Sequence, residues 1–246
     1  MNPITEKDIQ FYNDNGYLML GQVMTEAQRI SLKEIIPHLE RRPTDRGTLF
    51  FTQLRGKFPA IMDFSREGAH LEAVKKFISP NLRCWFDQYV IKLPDHVEKV
   101  GGTFPWHQDN GYGKILPDNN VTVWFALEDV NEDNGFVWVA PGSHKKGLVP
   151  HIKKSEESWY IEVDVEGNGV PATLKAGEAV LFSGYTLHRS LTNRTDKPRL
   201  GFFLEYCDAD AVDAGSNNIP INQHPPDSFL AGGLSPVLCG TSQFNP

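Results

Sequence analysis

Thr103-Phe104-Pro105-Trp106-His107-Gln108-Asp109-Asn110-Gly111-Tyr112-Gly113 carries a histidine and an aspartate two positions apart. Side chains of an extended chain alternate with period two, so His107 and Asp109 face the same way in a strand and can reach one cation together. Pro105, Trp106 and the nearby glycines mark a constrained strand end opening into a loop.

Outward from this stretch the chain reads as short strands separated by turns. From Leu82 an extended run places Cys84, Phe86, Gln88, Val90 and Lys92 on one face and Trp85, Asp87, Tyr89 and Ile91 on the other, and Pro94 closes it. Val121–Leu127, Phe136–Val139, Tyr160–Val165, Ala179–Phe182 and Arg199–Tyr206 are further strands, with turns at Asn134-Gly135, Pro141-Gly142 and Asn168-Gly169. With no regular helix between them, these strands predict an antiparallel sandwich or barrel.

Helices are expected at the periphery. Thr5 caps the first, with Asp8 in the capping-box position, and Asn15-Gly16 ends it before a brief strand over Tyr17–Leu20. Thr25 and Gln28 cap a second, whose apolar stripe of Leu32, Ile35, Ile36 and Leu39 is interrupted by Pro37. Residues 71–77 read as another helix. Residues 41–70, broken by Arg41-Arg42-Pro43 and Gly47, read as a lid, a substrate-side loop or a plain connector. The tail from Asp208 is expected as an irregular extension, and residues 1–246 as one mainly β domain.

A chain of 246 residues with 40% hydrophobic and 11% aromatic residues can bury a sizeable core. Its net charge of -7 argues against nucleic acid or an anionic membrane as the main partner. No apolar run approaches the roughly 18 residues that a membrane span needs. No signal peptide or terminal address is visible. Cys84, Cys207 and Cys239 are far apart and unpaired in spacing, which predicts reduced thiols and a cytoplasmic location.

The His-x-Asp pair needs a third ligand. Of the other histidines, His188 has the strongest case, because the apolar strand and turn of residues 177–184 would carry it back into a core. His38, His70, His96, His151 and His224 have weak local contexts, and His144 reads as supporting or exposed. Two histidines and one carboxylate on one side of a metal form the facial triad of non-haem Fe(II) oxygenases. Three protein ligands leave three adjacent positions for a bidentate oxo-acid and dioxygen. Arg199, eleven residues past His188, can clamp a distant carboxylate with two parallel hydrogen bonds. Ser190 shares the His188 face, and Gly201 leaves room beside the arginine.

His107-Gln108-Asp109, His188-Arg189-Ser190 and Arg199 resemble the phytanoyl-CoA dioxygenase family of Fe(II)/2-oxoglutarate oxygenases. So do the Asn15-Gly16-Tyr17 helix end, Lys92-Leu93-Pro94, Trp124-Phe125-Ala126-Leu127 and the segment from Asn134-Gly135 to His144; the likeness covers roughly residues 5–206. It implies a double-stranded β-helix, a cupin-like jelly roll, with iron held by His107, Asp109 and His188. It implies 2-oxoglutarate held by Arg199 and Ser190, with Lys92 and Trp124 nearby, and dioxygen as the oxidant. The reaction implied is oxidation of an unactivated C–H bond of a small molecule, with succinate and carbon dioxide released. Hydroxylation is its ordinary end, and desaturation or epimerisation its variants. Related halogenases lack the carboxylate ligand, so Asp109 disfavours halogenation.

Other assignments stay open at this level. Lys92 is either a cosubstrate contact or a solvated strand end, and Trp124 either pocket wall or core. Gln88 shares the Lys92 face and is a candidate cavity residue. Phe104, Asn110 and Tyr112 are candidate substrate contacts, and Glu205, on the Arg199 face, either enters the cavity or marks a strand end. A zinc hydrolase could use the same three ligands, but it gives Arg199 and Ser190 no task. A non-catalytic cupin-like binding domain is the third reading.

Overall fold

The computed structural model describes residues 2–41, 47–97, 102–154, 160–165, 167, 169–224 and 236–244. Arg42, Pro43, the turn residue Asn168 and residues 225–235 of the tail lie outside them. The chain begins with α1 (Glu6–Asn15), β1 (Tyr17–Gln22), α2 (Glu26–Lys33), β2 (Thr48–Thr52), α3 (Pro59–Glu67), α4 (Leu71–Phe77) and β3 (Leu82–Lys92). Then come β4 (Phe104–His107), β5 (Ile115–Leu116), β6 (Val121–Ala126), β7 (Val137–Val139), β8 (Val170–Ala172), β9 (Glu178–Ser183) and β10 (His188–Ser190). Last are β11 (Arg199–Asp208), β12 (Val212–Asp213), β13 (Ile219–Pro220) and β14 (Val237–Cys239).

Both capping boxes form. The Thr5 side chain accepts from the Asp8 amide while Asp8 accepts from the Thr5 amide, and Thr25 and Gln28 repeat the arrangement at α2. Each box satisfies amides that the first helical turn leaves without intrahelical partners. Gly16 ends α1 at φ 80, a left-handed conformation. Pro37 ends the second helical segment early: α2 stops at Lys33, and only a 3-10 turn over Ile36–His38 follows.

A seven-stranded antiparallel sheet runs in the order β1-β9-β6-β11-β3-β14, with β2 also paired to β3. A four-stranded sheet, β4-β10-β7-β8, lies opposite, and a small β13-β12-β5 sheet completes the set. Facing antiparallel sheets of this kind form the jelly-roll architecture expected from the sequence. One face of the large sheet packs Tyr89, Val123, Leu181 and Phe202 against Leu32 of α2, Phe64 of α3 and Val74 of α4. Its other face turns Trp124, Val180 and Phe182 toward Val137 and Val139 of the four-stranded sheet. With both faces covered, β3, β6, β9 and β11 read as nearly continuous buried runs instead of clean alternation.

Four expectations need correction. Residues 47–70 are not a loop or plain connector but a strand and a helix, and Phe50 within them does face the cavity. Thr48–Thr52 pairs with the Gln88–Lys92 half of β3, and α3 packs outside it. Asp87 fixes the following turn by accepting from the Leu54 amide and pairing with the buried Arg55 guanidinium at 2.7 Å. Cys84 does not share the Phe86 face, because a bulge opposite Glu205/Tyr206 gives β3 one extra residue at Trp85. Cys84 therefore joins the outer core, and Trp85 and Phe86 both turn to the interior of the sandwich. Tyr160–Val165 forms no strand, only an isolated bridge between Ile152 and Glu162. The tail is more regular than expected, since β12 pairs with β5 and β13, and β14 pairs with the start of β3.

His70 lies fully buried among Phe64, Phe125 and Tyr206, with its Nε2 2.6 Å from the Tyr206 hydroxyl. Burial pulls its pKa down to about 3. The unfolded chain then binds this proton near pH 6.5 while the folded chain does not, so acid favours unfolding. Between pH 7 and pH 5 the linkage costs about 2 kcal/mol of stability. Denaturant titrations of His70→Gln should show a loss over that range smaller by about this amount, whatever the variant's stability at pH 7. An identical pH slope in both proteins would show that His70 does not supply the acid sensitivity.

Candidate active site

His107 is the last residue of β4, Gln108 continues extended at φ -114 and ψ 140, and Asp109 opens a 3-10 turn. The period-two argument therefore holds to the end of the strand. His188, first residue of β10, pairs directly across from His107. Donor atoms of His107, Asp109 and His188 all lie within 4.8 Å of one another. The Nε2 atoms of His107 and His188 stand 3.7 and 3.4 Å from Asp109 Oδ1.

The groups behind these side chains fix which atoms face inward. His107 Nδ1 lies 2.8 Å from the Pro105 carbonyl, and His188 Nδ1 3.0 Å from that of Thr186. A carbonyl accepts only from N–H, so each Nδ1 carries the proton and each Nε2 keeps a lone pair for a cation. Burial, and then the neighbouring His188, hold the His107 pKa well below its ordinary value, which favours the neutral ligand form. β4 carries an extra residue between the His107 and Phe104 pairings, so Pro105, which lacks an amide N–H, sits in a bulge where that loss is tolerated. Thr122 donates its hydroxyl to Asp109 Oδ2 at 2.5 Å and leaves Oδ1 toward the imidazoles.

A cavity of about 340 Å³ opens beside the three donors. Gln88, Phe104, Tyr112, Trp124, Ser190 and Arg199, all singled out in the sequence, line it. Phe50, Trp85, Phe86 and Phe203 make much of the remaining wall aromatic. Arg199 is fully buried, its guanidinium carbon 5.1 Å from the Trp124 ring centre. It donates to the carbonyls of Gly135 and Val90 at 3.1 and 3.4 Å, and its Nε has no hydrogen-bond partner. No ion pair reaches it among the described residues. A Cβ on Gly201 would lie 2.3 Å from Trp124 and 2.6 Å from Arg199, so this stack requires glycine. A buried cation without a counter-ion is costly, and an anionic ligand fits it.

Two sequence candidates stand elsewhere. Lys92 is fully buried beside Arg199 in the β3–β11 register, but its Nζ donates to the Gly102 and Leu191 carbonyls at 2.5 Å each, away from the cavity lining. Its side chain leaves the strand on the face of Gln88 and Arg199, as alternation predicts; backbone acceptors beyond the strand end redirect the ammonium. Asn110 forms a reciprocal amide pair with Asn120, at 2.9 and 2.7 Å, and does not line the cavity. Its amide donates to the Gly184 carbonyl, and a Cβ on Gly184 would strike both asparagines. Asn110 thus ties the Asp109 turn to the segment leading into β10.

Other supporting groups were not legible in the sequence. Gln108, pointing away from the donors, bridges the Gly147 and Tyr185 carbonyls and accepts from the Val149 amide. His151 Nε2 accepts the Gln108 backbone N–H at 3.0 Å. Thr122 carried no motif beyond its alternation with Trp124. Glu205 does enter the cavity, and burial, helped by the charge of Asp109, pushes its carboxyl well above the usual carboxylate range. Arg189 lines the wall beside Trp106 and Trp138, at 4.8 and 5.7 Å from their rings.

The family model for phytanoyl-CoA dioxygenase (PhyH) matches residues 12–201. Phytanoyl-CoA dioxygenase 1 of Oryza sativa subsp. japonica is 24% identical over 91% of this chain and 96% of its own length. Methylphosphonate hydroxylase of Gimesia maris is 24% identical over 82% of the chain and 80% of its own. Among solved structures, the non-haem α-ketoglutarate-dependent epimerase SnoN of nogalamycin biosynthesis superposes with a TM-score of 0.73 at 20% identity, covering 95% of this chain and 98% of that one. SnoN is also known in complex with Fe3+ and α-ketoglutarate.

If the Thr122 hydroxyl orients Asp109, Thr122→Val should weaken divalent-cation binding about tenfold or more while leaving the fold intact. Calorimetric titration of the metal-free protein with Ni(II) measures this. Unchanged affinity would assign the Thr122 contact to packing alone.

Proposed function

The chain belongs to the phytanoyl-CoA dioxygenase family of non-haem iron, 2-oxoglutarate-dependent oxygenases, and from that premise we propose that it hydroxylates a small organic molecule. His107, Asp109 and His188 hold the metal, each imidazole through Nε2 and the carboxylate through Oδ1. Arg199 receives the distal carboxylate of 2-oxoglutarate as a two-pronged donor, and Ser190, on the same cavity, offers a further hydroxyl. Trp124 and Gln88 shape the wall at that end, and Lys92 supports the arginine's strand from outside the cavity. Iron, 2-oxoglutarate and dioxygen supply the oxidation: one C–H becomes C–OH as 2-oxoglutarate is converted to succinate and carbon dioxide.

The protein's own contribution is orientation and exclusion of water. Carbonyls of Pro105 and Thr186 fix the two imidazoles, and Thr122 fixes the carboxylate. Phe104 and Tyr112 stand 4.5 and 5.9 Å from His107, ring centre to ring centre, as substrate-side walls. The cavity's volume suits a small molecule. Since both sheets line one cavity, residues 1–246 are taken as a single oxygenase domain. No helix of the described residues is long and apolar enough to cross a membrane. Free Cys84, Cys207 and Cys239 support a reducing, cytoplasmic setting.

One observation carries this reading: a buried guanidinium without a carboxylate partner shares a cavity with the three donors. A zinc hydrolase or a non-catalytic binding domain would leave that cation without a purpose. Anaerobic protein supplied with Fe(II) and 2-oxoglutarate should develop a weak visible metal-to-ligand charge-transfer band. Its absence, with iron loading confirmed, would sink the oxygenase reading. His188→Ala should abolish the band, and Arg199→Ala should raise the 2-oxoglutarate needed for half-formation at least about tenfold. An Arg199→Ala protein with wild-type affinity for 2-oxoglutarate would remove that residue from its role.

A further inference from the structure

Six positions beyond Arg199, on the same face of β11, stands a carboxyl side chain that the reading above does not use. Glu205 lines the cavity and is only 4% exposed. Its Oε2 has no hydrogen-bond partner, and no described residue forms a hydrogen bond or ion pair with it. The nearby Arg55 donates to Asp87 at 2.7 Å and to the Trp85 carbonyl at 3.1 Å, and acts on Glu205 through its charge without a hydrogen bond. A buried carboxyl kept without a hydrogen-bond donor costs stability, and a purely structural role would show a protein donor.

Its surroundings narrow what would satisfy it. In register, Glu205 lies between Phe86 of β3 and Thr122 of β6. Phe203, two residues earlier, stacks on Phe86 at 6.0 Å, and Trp85 meets Phe86 at 5.6 Å. An acidic group among aromatic rings suits a cation better than an anionic group, because a cation is attracted to both. Arg199 and Glu205 lie roughly 20 Å apart along the strand at about 3.3 Å per residue. The cavity wall is thus cationic at one end and acidic at the other. A dicarboxylate is drawn to the arginine, which leaves the far end to the second reactant, and Glu205, which burial keeps protonated while the site is empty, gives its proton up to solvent when a cationic group docks.

We propose that Glu205 recognises a protonated amine on the substrate, held against Trp85, Phe86 and Phe203. The amine then lies one cross-strand neighbour from Thr122, whose hydroxyl holds Asp109. Glu205 sets which molecules enter and how they lie, and it takes no part in the oxidation. The proposal rests on the oxygenase reading for the identity of the second reactant, while the recognition itself needs no metal.

Calorimetry on the metal-free full chain can therefore test it, with cyclohexylamine and its neutral counterpart cyclohexanol as probes at about pH 9, where an alkylammonium is still protonated and the Glu205 proton is more easily displaced. The amine should bind at least about tenfold more tightly than the alcohol, as a charge-assisted hydrogen bond implies. Glu205→Gln should bring that ratio close to one while its melting midpoint stays at or above that of the parent. Equal binding of the two probes, no saturation by millimolar amine, or a preference that survives in Glu205→Gln overturns the proposal. The first two outcomes are read on the unaltered protein and do not depend on the variant folding. A missing charge-transfer band alongside an intact amine preference would strike the oxygenase reading and leave Glu205 its role. The reverse pattern would do the opposite.

Discussion

The pairing of β10 with β4 is the constraint on which the site depends. It sets His188 directly opposite His107, so two imidazoles from distant parts of the chain share one point in space. β10 has only three residues and β4 four, too few ladder bonds to fix the position of a side chain to fractions of an ångström. The precision comes from polar ties around the pair. Thr186 donates its hydroxyl to the Gly16 carbonyl, and Ser143 Oγ accepts the Leu187 amide. Gln108, Asn110 and Asn120 fasten the other half. In these ties each side chain named finds a partner, which makes the arrangement rigid and intolerant of partial loss.

The remainder of the sandwich supplies a dry, shaped space next to that point. Aromatic residues of the large sheet exclude water, and in such surroundings the few charges that remain act strongly. Arg199 sits at one end of β11 and Glu205 toward the other, with Phe203 between them. This arrangement cannot be read as ordinary core, because a core would pair its charges or omit them.

Much of this was visible before the structure, for reasons that can be named. Thr5 with Asp8 and Thr25 with Gln28 are local signals, so both capping boxes formed where expected. The His107/Asp109 spacing needs only an extended backbone, and Gly201 beside Arg199 needs only alternation. What escaped depends on partners remote in sequence. Nothing around Asn110 announces that Asn120 will take its amide, and Lys92 is turned aside by the carbonyl of Leu191, far along the chain. The bulge at Trp85 shifts Cys84 to the other face, which no periodicity within β3 could reveal, since the cause lies in its pairing with β11. Thr48–Thr52 was hidden by neighbouring breakers and becomes a strand because β3 offers it an edge.

That edge bears on how the protein survives in a crowded solution. A strand as long and apolar as β3, left open along one side, is a template for pairing with another molecule. Here two short segments share the duty of covering it: β2 guards the half near Lys92, and β14, returning from the far end of the chain, guards the first residues, Leu82 and Arg83. The last segment is remote from the chemistry, yet it decides whether the most aggregation-prone face of the sheet meets its own chain or a neighbour's. Damage to this segment would appear first as a loss of colloidal stability, with the metal site still intact.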